Sequence, residues 1–566
     1  MSVKPSYSLA AFRGDLWGGL TTAIISLPMA LAFGVASGAG PQAGLYGAVM
    51  VGFWAAVFGG SRTLISEPTG PMTLMIATVM TGIAARYPED ALAMMFAVIV
   101  LAGIFQMAFG LLKLGRYITL MPYSVISGFM SGIGVLLMIL QIAPLLGHAV
   151  PPGGAPGVIA GLPDMLRGLH LPEFLLGVIS LVVLFAFPSS WRRKFPPQLA
   201  VLIFGTIYAA IFFNGAELRI IGAIPMGLPS FQLPMISMDM MGKIFVDALL
   251  LAMLGSIDTV LTAMIADSLS RNRHDTNREL VGQGIANTFS GFFGGLPGAG
   301  ATMGTVVNIQ SGASTRVAGM TRALILLVVI MAAAPLLTNV PMVILAAITF
   351  KVGLDILDWS FLRRAHRVSR TASFIMYGVL AVTVLVDIMV AVGVGVFIAN
   401  IITIDRLTRL QSANIKLINA VSDHPVDLMP EEKAILDAAA EKIVMLHFSG
   451  PMIFGVARSI SLEQDAMRDA NVLVLDLTEV SFLSVTVALA LENVIREAAA
   501  SDCVVIIAAA SDKIYDRLKA LGLLGAGTSV FTDETRSKAL CRARDIVAQT
   551  QTNTSSHDEI SPVTSA

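Results

Sequence analysis

The sequence predicts a polytopic α-helical membrane protein with a small α/β domain at its carboxyl end. Of its 566 residues, 55% are hydrophobic and only 13% charged, whereas soluble globular proteins are about 25% charged. Residues 1–410 contain repeated apolar runs and hold 24 Lys and Arg against 17 Asp and Glu. Residues 411–566 hold 13 Lys and Arg against 21 Asp and Glu. A basic membrane domain of net charge +7 therefore precedes an acidic soluble domain of net charge −8.

About fourteen apolar runs are candidate membrane spans, because a helix needs about 20 residues to cross the hydrocarbon core. The clear runs are roughly 16–37, 91–112, 124–146, 172–189, 197–213, 244–268, 318–337 and 370–388. The less clear runs are 42–59, 70–85, 278–295, 301–312, 340–357 and 388–404. Together they predict a transmembrane domain over 1–410.

The basic residues predict that both ends of the chain are cytoplasmic. Of the 23 basic residues assigned to a side in this orientation, only four, Arg86, Arg167, Arg219 and Lys243, face the opposite side. Nineteen lie in cytoplasmic connections: Lys4, Arg13, Lys113, Arg116, Arg192, Arg193, Lys194, Arg271, Arg273, Arg278, Arg316, Arg322, Lys351, Arg363, Arg364, Arg367, Arg370, Arg406 and Arg409. This bias follows the positive-inside rule. We expect a multi-pass protein of the inner (plasma) membrane.

Two similar segments point to a binding site between two halves of the membrane domain. Segments 47–60 and 282–295 are Gly-rich and end in Phe-Gly-Gly, and each precedes an interrupted polar stretch, 69–73 or 300–305. Paired interruptions of this kind are typical of transporter binding sites. Helices that begin at membrane depth direct N–H groups and a positive dipole end into the cavity, which favours an anion. The alternative is that both segments are packing seams of small residues.

A carboxylate lies in the middle of the run 244–268. Placing Asp258 at mid-bilayer costs at least about 2.5–3.5 kcal/mol, so it faces a cavity or a partner. Thr262 lies on the same helical face, and carboxylate, hydroxyl and carbonyl oxygens suit a hard cation. Two alternatives stay open, a structural hydrogen-bonded carboxylate and a proton relay. Glu67 is a second polar candidate, with either a structural hydrogen bond or a transport role.

The acidic part alternates strand and helix patterns, which indicates an α/β unit over 411–550. The predicted strands are 443–448, 472–477 and 504–508. The predicted helices are 455–469, 484–499 and 512–522, with a further helix-forming stretch at 429–442. The sequence has no Walker-type phosphate loop and no nucleophile–base constellation, so neither ATP-driven transport nor an enzyme is expected. Residues 551–566 are predicted to be disordered.

Six short motifs carry a resemblance to a known family. They are Leu27-Pro28-Met29-Ala30, Glu67-Pro68-Thr69-Gly70-Pro71, Met121-Pro122, Gly128-Phe129, Gln283-Gly284-Ile285-Ala286-Asn287 and Gly300-Ala301-Thr302. This set resembles the SulP anion transporters, known in animals as solute carrier family 26, and the acidic part resembles their STAS domain. Segments 64–73, 256–259 and 298–310 are similar to the cyanobacterial sodium-dependent bicarbonate transporters of that family.

The resemblance implies fourteen spans in a 7+7 inverted repeat with core and gate domains, an elevator-like movement, and a homodimer formed with help from the STAS domain. It implies an anion site for bicarbonate between the third and tenth spans, at Thr69, Gly70, Ala301, Thr302 and Thr305. It also implies that a co-transported sodium ion binds at Asp258, Thr262, Gly300 and Thr302.

The sequence departs from the family pattern at two places. Thr305 stands where many animal members have an arginine, so a co-bound cation can balance the anion, which favours symport over exchange. The STAS loop, Asp-Ser-Ser-Gly in anti-sigma antagonists, reads Ser484-Val485-Thr486-Val487 here. With valine at the phosphoacceptor position, the domain is expected to be a structural dimerisation element rather than a phosphorylation switch.

Three functional hypotheses follow. The leading one is import of bicarbonate by sodium symport. The second is sodium- or proton-coupled uptake of sulfate or a dicarboxylate on the same scaffold, because helix N-termini bind anions generically. The third, from a different class, is a membrane-anchored STAS signalling protein that does not transport.

Overall fold

The computed structural model describes most of the chain. The described residues are 8–115, 122–188, 196–213, 218–222, 227–386, 390–391, 393–395, 397–398, 400–402, 404–405, 415–418, 426–439, 442–453, 470–508, 512–520, 522 and 530–557. The chain divides into two compact units, Met1–Asn400 and Ile401–Ala566. We number helices and strands in chain order.

The first unit is built from helices, since a helix satisfies its own backbone polar groups in an apolar environment. Its helices α1 to α8 are Leu9–Ala36, Pro41–Phe58, Gly70–Ala84, Ala91–Leu111, Tyr123–Leu145, Gly154–Arg167, Leu171–Ala186 and Pro197–Phe212. Helices α9 to α15 are Met241–Ser270, Thr276–Phe292, Thr302–Gln310, Val317–Leu337, Met342–Ile356, Trp359–Val368 and Arg370–Leu385. Two short strands, β1 (Ser66–Glu67) and β2 (Ala299–Gly300), precede α3 and α11.

Each predicted apolar run before residue 388 contains a helix. The run 388–404 is described in part, and its described residues are helical. Among the described helices, α1, α2, α4, α5 and α9 are each long and apolar enough to cross a bilayer alone. Helices α6 and α14 were not predicted from the sequence. Both are short, with 14 and 10 residues, and both carry polar positions, so a search for apolar runs of membrane length passes over them.

The helices of the first unit pack in two groups. Helices α1 to α4 and α9 to α12 contact one another, and α5, α7, α8, α13 and α15 form the second group. Helix α1 also packs on α8 and α13, and α3 packs on α5, so these contacts join the groups. The two halves of the first group have the same order of elements: α2, β1 and α3 in one, and α10, β2 and α11 in the other. The predicted pair of interrupted segments is therefore confirmed.

The second unit contains a five-stranded sheet. Strands β3 to β7 are Ile415–Ile418, Ile443–Met452, Val472–Leu483, Val504–Ala508 and Val530–Asp533. They lie in the order β3-β4-β5-β6-β7, with β3 antiparallel and the others parallel. Helices α16 to α19 are Pro430–Ala438, Val485–Ala500, Asp512–Ala520 and Arg536–His557.

The three predicted strands, β4 to β6, are confirmed, as are the helices α17 and α18. The edge strands β3 and β7 have four residues each and were not predicted, because short edge strands give little periodicity. The predicted helix 455–469 lies outside the described residues. The disordered tail was predicted to begin at 551, but α19 continues to His557, and 558–566 lie outside the described residues.

A buried polar cluster joins β4, β5 and α19. The Asp476 carboxylate is fully buried, with His447 Nδ1 at 2.7 Å and Arg536 Nε at 2.6 Å from its Oδ2 atom. Thr478 N–H donates to Oδ1 at 3.1 Å. Burial raises the pKa of Asp476, but the hydrogen bonds from His447 and Thr478 and the Arg536 charge outweigh burial and hold the pKa below its ordinary value. The ionised carboxylate therefore stabilises the folded sheet.

Candidate functional site

Two helices of the first unit begin side by side. Strands β1 and β2 pair antiparallel, with Ser66 opposite Gly300, so α3 and α11 both start next to this two-stranded sheet. Thr69 and Ala301 are the N-cap residues, and neither makes a side-chain capping hydrogen bond. The first turn of a helix leaves N–H groups without intrahelical partners and carries positive partial charge. Thr302 is solvent-exposed at the start of α11, so this end is open to a ligand.

Helix α9 brings oxygen atoms to both helix starts. The Thr69 hydroxyl donates to Asp258 Oδ2 at 2.9 Å. One turn further along α9, Thr262 Oγ1 donates to Gly300 O at 2.9 Å and lies 3.0 Å from Thr302 Oγ1. Asp258 and Thr262 are buried within the protein. A carboxylate, three hydroxyls and a carbonyl therefore converge between α9, α3 and α11, a set of hard oxygen ligands.

Buried amides hold the segment that leads into β2. Gly298 N–H donates to Asn287 Oδ1 at 2.8 Å, and Asn287 Nδ2 donates back to Gly298 O at 3.0 Å. Gln283 Nε2 donates to the same carbonyl at 2.9 Å, and Asn287 Nδ2 donates to Gln106 Oε1 at 2.6 Å. A Cβ on Gly298 would lie 2.6 Å from Glu67 O, so only glycine allows the backbone before β2 to approach β1 this closely.

A buried ion pair holds β1. Arg322 on α12 is fully buried and its Nη2 donates to Glu67 Oε2. The inclusion of Arg322 among the cytoplasmic basic residues is therefore wrong: the residue lies inside the protein. A charge count along the chain cannot separate a loop arginine from one that enters a helix bundle with a carboxylate partner.

The structure brings most of the predicted site residues together. Thr69, Gly70, Ala301 and Thr302 form the two helix starts, and Asp258, Thr262 and Gly300 face them. Thr305 is fully buried, and its hydroxyl accepts a hydrogen bond from Ile65 N–H at 3.0 Å, so this oxygen holds the chain just before β1.

Sequence reasoning missed the supporting residues Thr259, Gln106 and Arg322. Thr259 Oγ1 accepts from Gly300 N–H at 3.2 Å, and so fixes the backbone of a predicted cation ligand. Gln283 and Asn287, spaced four apart and so on one helical face, were noted only as a family motif. Two amides at this spacing within a predicted membrane span are a signal that could have identified them as a support for the site.

The chain is similar to known anion transporters over nearly its whole length. Residues 12–379 match the sulfate permease family and residues 435–535 the STAS domain. Bicarbonate transporter BicA of Synechocystis sp. is 51% identical over 540 residues, 95% of this chain and 96% of that protein.

Two solved structures resemble this one. The transmembrane domain of a cyanobacterium bicarbonate transporter BicA is 52% identical, with a TM-score of 0.64, and the match covers 69% of this chain and 98% of that one. Murine Solute Carrier 26 family member A9 in the inward-facing state is 18% identical, with a TM-score of 0.80, and the match covers 96% of this chain and 92% of that one. The predicted fold, a polytopic helical membrane domain followed by a STAS domain, is confirmed.

Proposed function

Because this chain belongs to the sulfate permease family, a family of membrane anion transporters, we propose that it imports bicarbonate by symport with sodium. The observation that carries the proposal is the convergence of two uncapped helix starts with a buried carboxylate. Two relatives named as bicarbonate transporters are each 51% identical to this chain over at least 92% of its length. This likeness favours bicarbonate over sulfate as the anion.

The anion is proposed to bind between the starts of α3 and α11. The backbone N–H groups at Gly70 and Thr302 and the Thr302 hydroxyl supply donors, and the aligned helix dipoles add positive potential. Thr305 is proposed to take part indirectly, because its side chain is fully buried and its hydroxyl oxygen accepts from Ile65 N–H. We expect Thr305 to act through the position of β1 instead.

The cation is proposed to bind beside the anion as co-transported cargo. Asp258 supplies the charge, and the oxygens of Thr262, Gly300 and Thr302 complete the site. The ion would replace the hydrogen bonds that these oxygens now make with one another. A bound sodium ion also offsets the charge of Asp258, which otherwise repels an anion at the neighbouring helix starts.

Alternating access is proposed to follow from the two helix groups. Both ion sites are carried by α3, α9 and α11, which belong to one group. Movement of this group against the second one as an elevator would carry both ions together. We further propose that both termini are cytoplasmic in the inner membrane, as the basic residues predict, that residues 1–410 and 411–550 are the functional domains, and that the STAS domain supports a homodimer.

The test is uptake of radiolabelled bicarbonate into proteoliposomes with an inward sodium gradient. We expect uptake to disappear when potassium replaces sodium. Excess sulfate or fumarate should compete with bicarbonate only weakly. The Asp258→Asn variant keeps the size of the side chain and removes its charge, so sodium-dependent uptake should be lost. Asp247→Asn is a matched control on the same helix, because Asp247 is also buried but pairs with Lys243 at 2.9 Å, away from the site. Uptake that is unchanged without sodium would refute the cation site.

A further inference from the structure

The Arg322 guanidinium lies where four structural elements meet. Its Nε donates to Ser26 Oγ on α1 at 2.9 Å. Its Nη1 donates to Ala48 O on α2 at 3.4 Å and to Ser66 O on β1 at 3.2 Å. Its Nη2 donates to Glu67, and the side chain is entirely buried. A charge buried to this extent is tolerated only when its donors are paired, so the contacts fix one geometry.

The chain makes room for this guanidinium. An added Cβ at Gly52 on α2 would overlap Arg322 Nη1. The guanidinium donates to both residues of β1. In the two-stranded sheet, Ser66 pairs with Gly300 and Glu67 pairs with Ala299. The other Glu67 oxygen, Oε1, lies near the first turn of α11, because a Cβ on Gly304 would be 3.2 Å from it. The ion pair therefore holds β1, which leads into α3, and also lies beside the first turn of α11.

We propose that Arg322 and Glu67 are positioning residues for ion binding. They fix β1, and through the strand pairing β2, in the register that places Thr69 beside Asp258 and Gly300 O beside Thr262. Arg322 also neutralises the Glu67 carboxylate, whose charge would otherwise lie at the start of α11 and oppose the anion. The proposal rests on the proposed function, since it assigns a role at the same ion site.

If Arg322 and Glu67 position both ion sites, disturbing them should weaken the binding of bicarbonate and of sodium together. Because β1 and β2 are paired, a displaced guanidinium shifts the anion donors and the cation ligands together. We expect Gly52→Ala and Glu67→Gln to raise the KM for bicarbonate and for sodium by about tenfold or more, the scale of one hydrogen bond to a charged group. Vmax per folded transporter should change much less.

Gly319→Ala is the matched control. Gly319 lies on α12 one turn before Arg322, and its added Cβ would be 2.9 Å from Ala56 Cβ on α2. The same substitution therefore crowds the same pair of helices without touching the guanidinium. A general packing effect should appear equally in Gly319→Ala and Gly52→Ala, whereas the positioning role affects only Gly52→Ala.

A second readout needs no substrate. Hydrogen exchange followed by mass spectrometry on the full-length protein reports the backbone of 64–70 and 298–304. Higher KM for both ions, with faster exchange in both segments, in Gly52→Ala and Glu67→Gln but not in Gly319→Ala supports the proposal. Unchanged KM and exchange in the two variants, or equal effects in Gly319→Ala, would overturn it. A wild-type protein without sodium-dependent bicarbonate uptake would refute the proposed function instead, and the exchange comparison would still decide this proposal.

Discussion

Replacing Thr262 with valine tests the cation site at a single oxygen atom. Valine has nearly the same shape as threonine, so the packing of α9 is retained while the hydroxyl is removed. In the present structure that hydroxyl lies 2.9 Å from Gly300 O and 3.0 Å from Thr302 Oγ1. With sodium bound, the variant would offer one oxygen ligand fewer.

The magnitude follows from the kind of contact that is lost. A polar contact to a charged group contributes about 1.5–3 kcal/mol. At about 1.4 kcal/mol per factor of ten, the half-saturating sodium concentration should rise by about 10- to 150-fold. Bicarbonate affinity measured at saturating sodium should change little, because the anion donors at Gly70 and Thr302 remain.

The assay is initial bicarbonate uptake into proteoliposomes over a series of sodium concentrations. Thr349→Val is the matched control, because Thr349 is buried on α13 and its hydroxyl donates to Leu345 O of the same helix at 2.8 Å. The control should keep the wild-type sodium dependence. A Thr262→Val protein whose sodium dependence matches wild type would show that this hydroxyl does not bind the ion.

Three further predictions concern other parts of the chain. Asn287→Asp should reduce uptake at least tenfold, because a buried carboxylate cannot donate to Gly298 O; equal uptake would contradict this. Asp476→Asn should destabilise the STAS sheet by about 3–5 kcal/mol at pH 7, measured by hydrogen exchange. Folding lowers the pKa of Asp476. The loss of stability in the variant is therefore complete above the unfolded-state pKa of about 3.9, and it disappears as pH falls through the folded-state pKa. Maleimide at pH 7 should label the exposed Cys541 and spare Cys503, because burial raises the pKa of Cys503 to about 11. Mass spectrometry after digestion distinguishes the two cysteines.

The parts of the fold that the sequence predicts well are those with a strong local signal. Apolar runs of membrane length predict α1, α4, α5 and α9, and the repeated Phe-Gly-Gly segments predict that α3 and α11 begin at corresponding places. The carboxylate of Asp258 stands out because so few charges occur in the membrane domain. Each of these signals lies within a short stretch of chain, so a single sequence is sufficient to detect it.

What the sequence could not provide are contacts between distant residues. Arg322 and Glu67 are 255 positions apart, and no local pattern indicates that they pair. The hydrogen bond between Asn287 and Gln106 joins residues 181 positions apart. The hydrogen-bond partner of Thr305 could not be predicted for the same reason, since Ile65 lies 240 positions away on the other half of the fold. Side-chain chemistry identifies candidate residues, but only the packing of the two halves decides which of them face a ligand.

The two-stranded sheet gives a physical reason why the two proposed ion sites should be coupled. Gly300 belongs to β2, and its carbonyl faces Thr262 while its strand partner, Ser66, leads through β1 to Thr69. Any displacement of one strand therefore moves cation ligands and anion donors together. Binding of sodium would order the segment that presents the anion donors, and a pre-ordered site binds its second ligand more tightly. Linkage makes this effect reciprocal, so bicarbonate should raise the apparent affinity for sodium by the same factor.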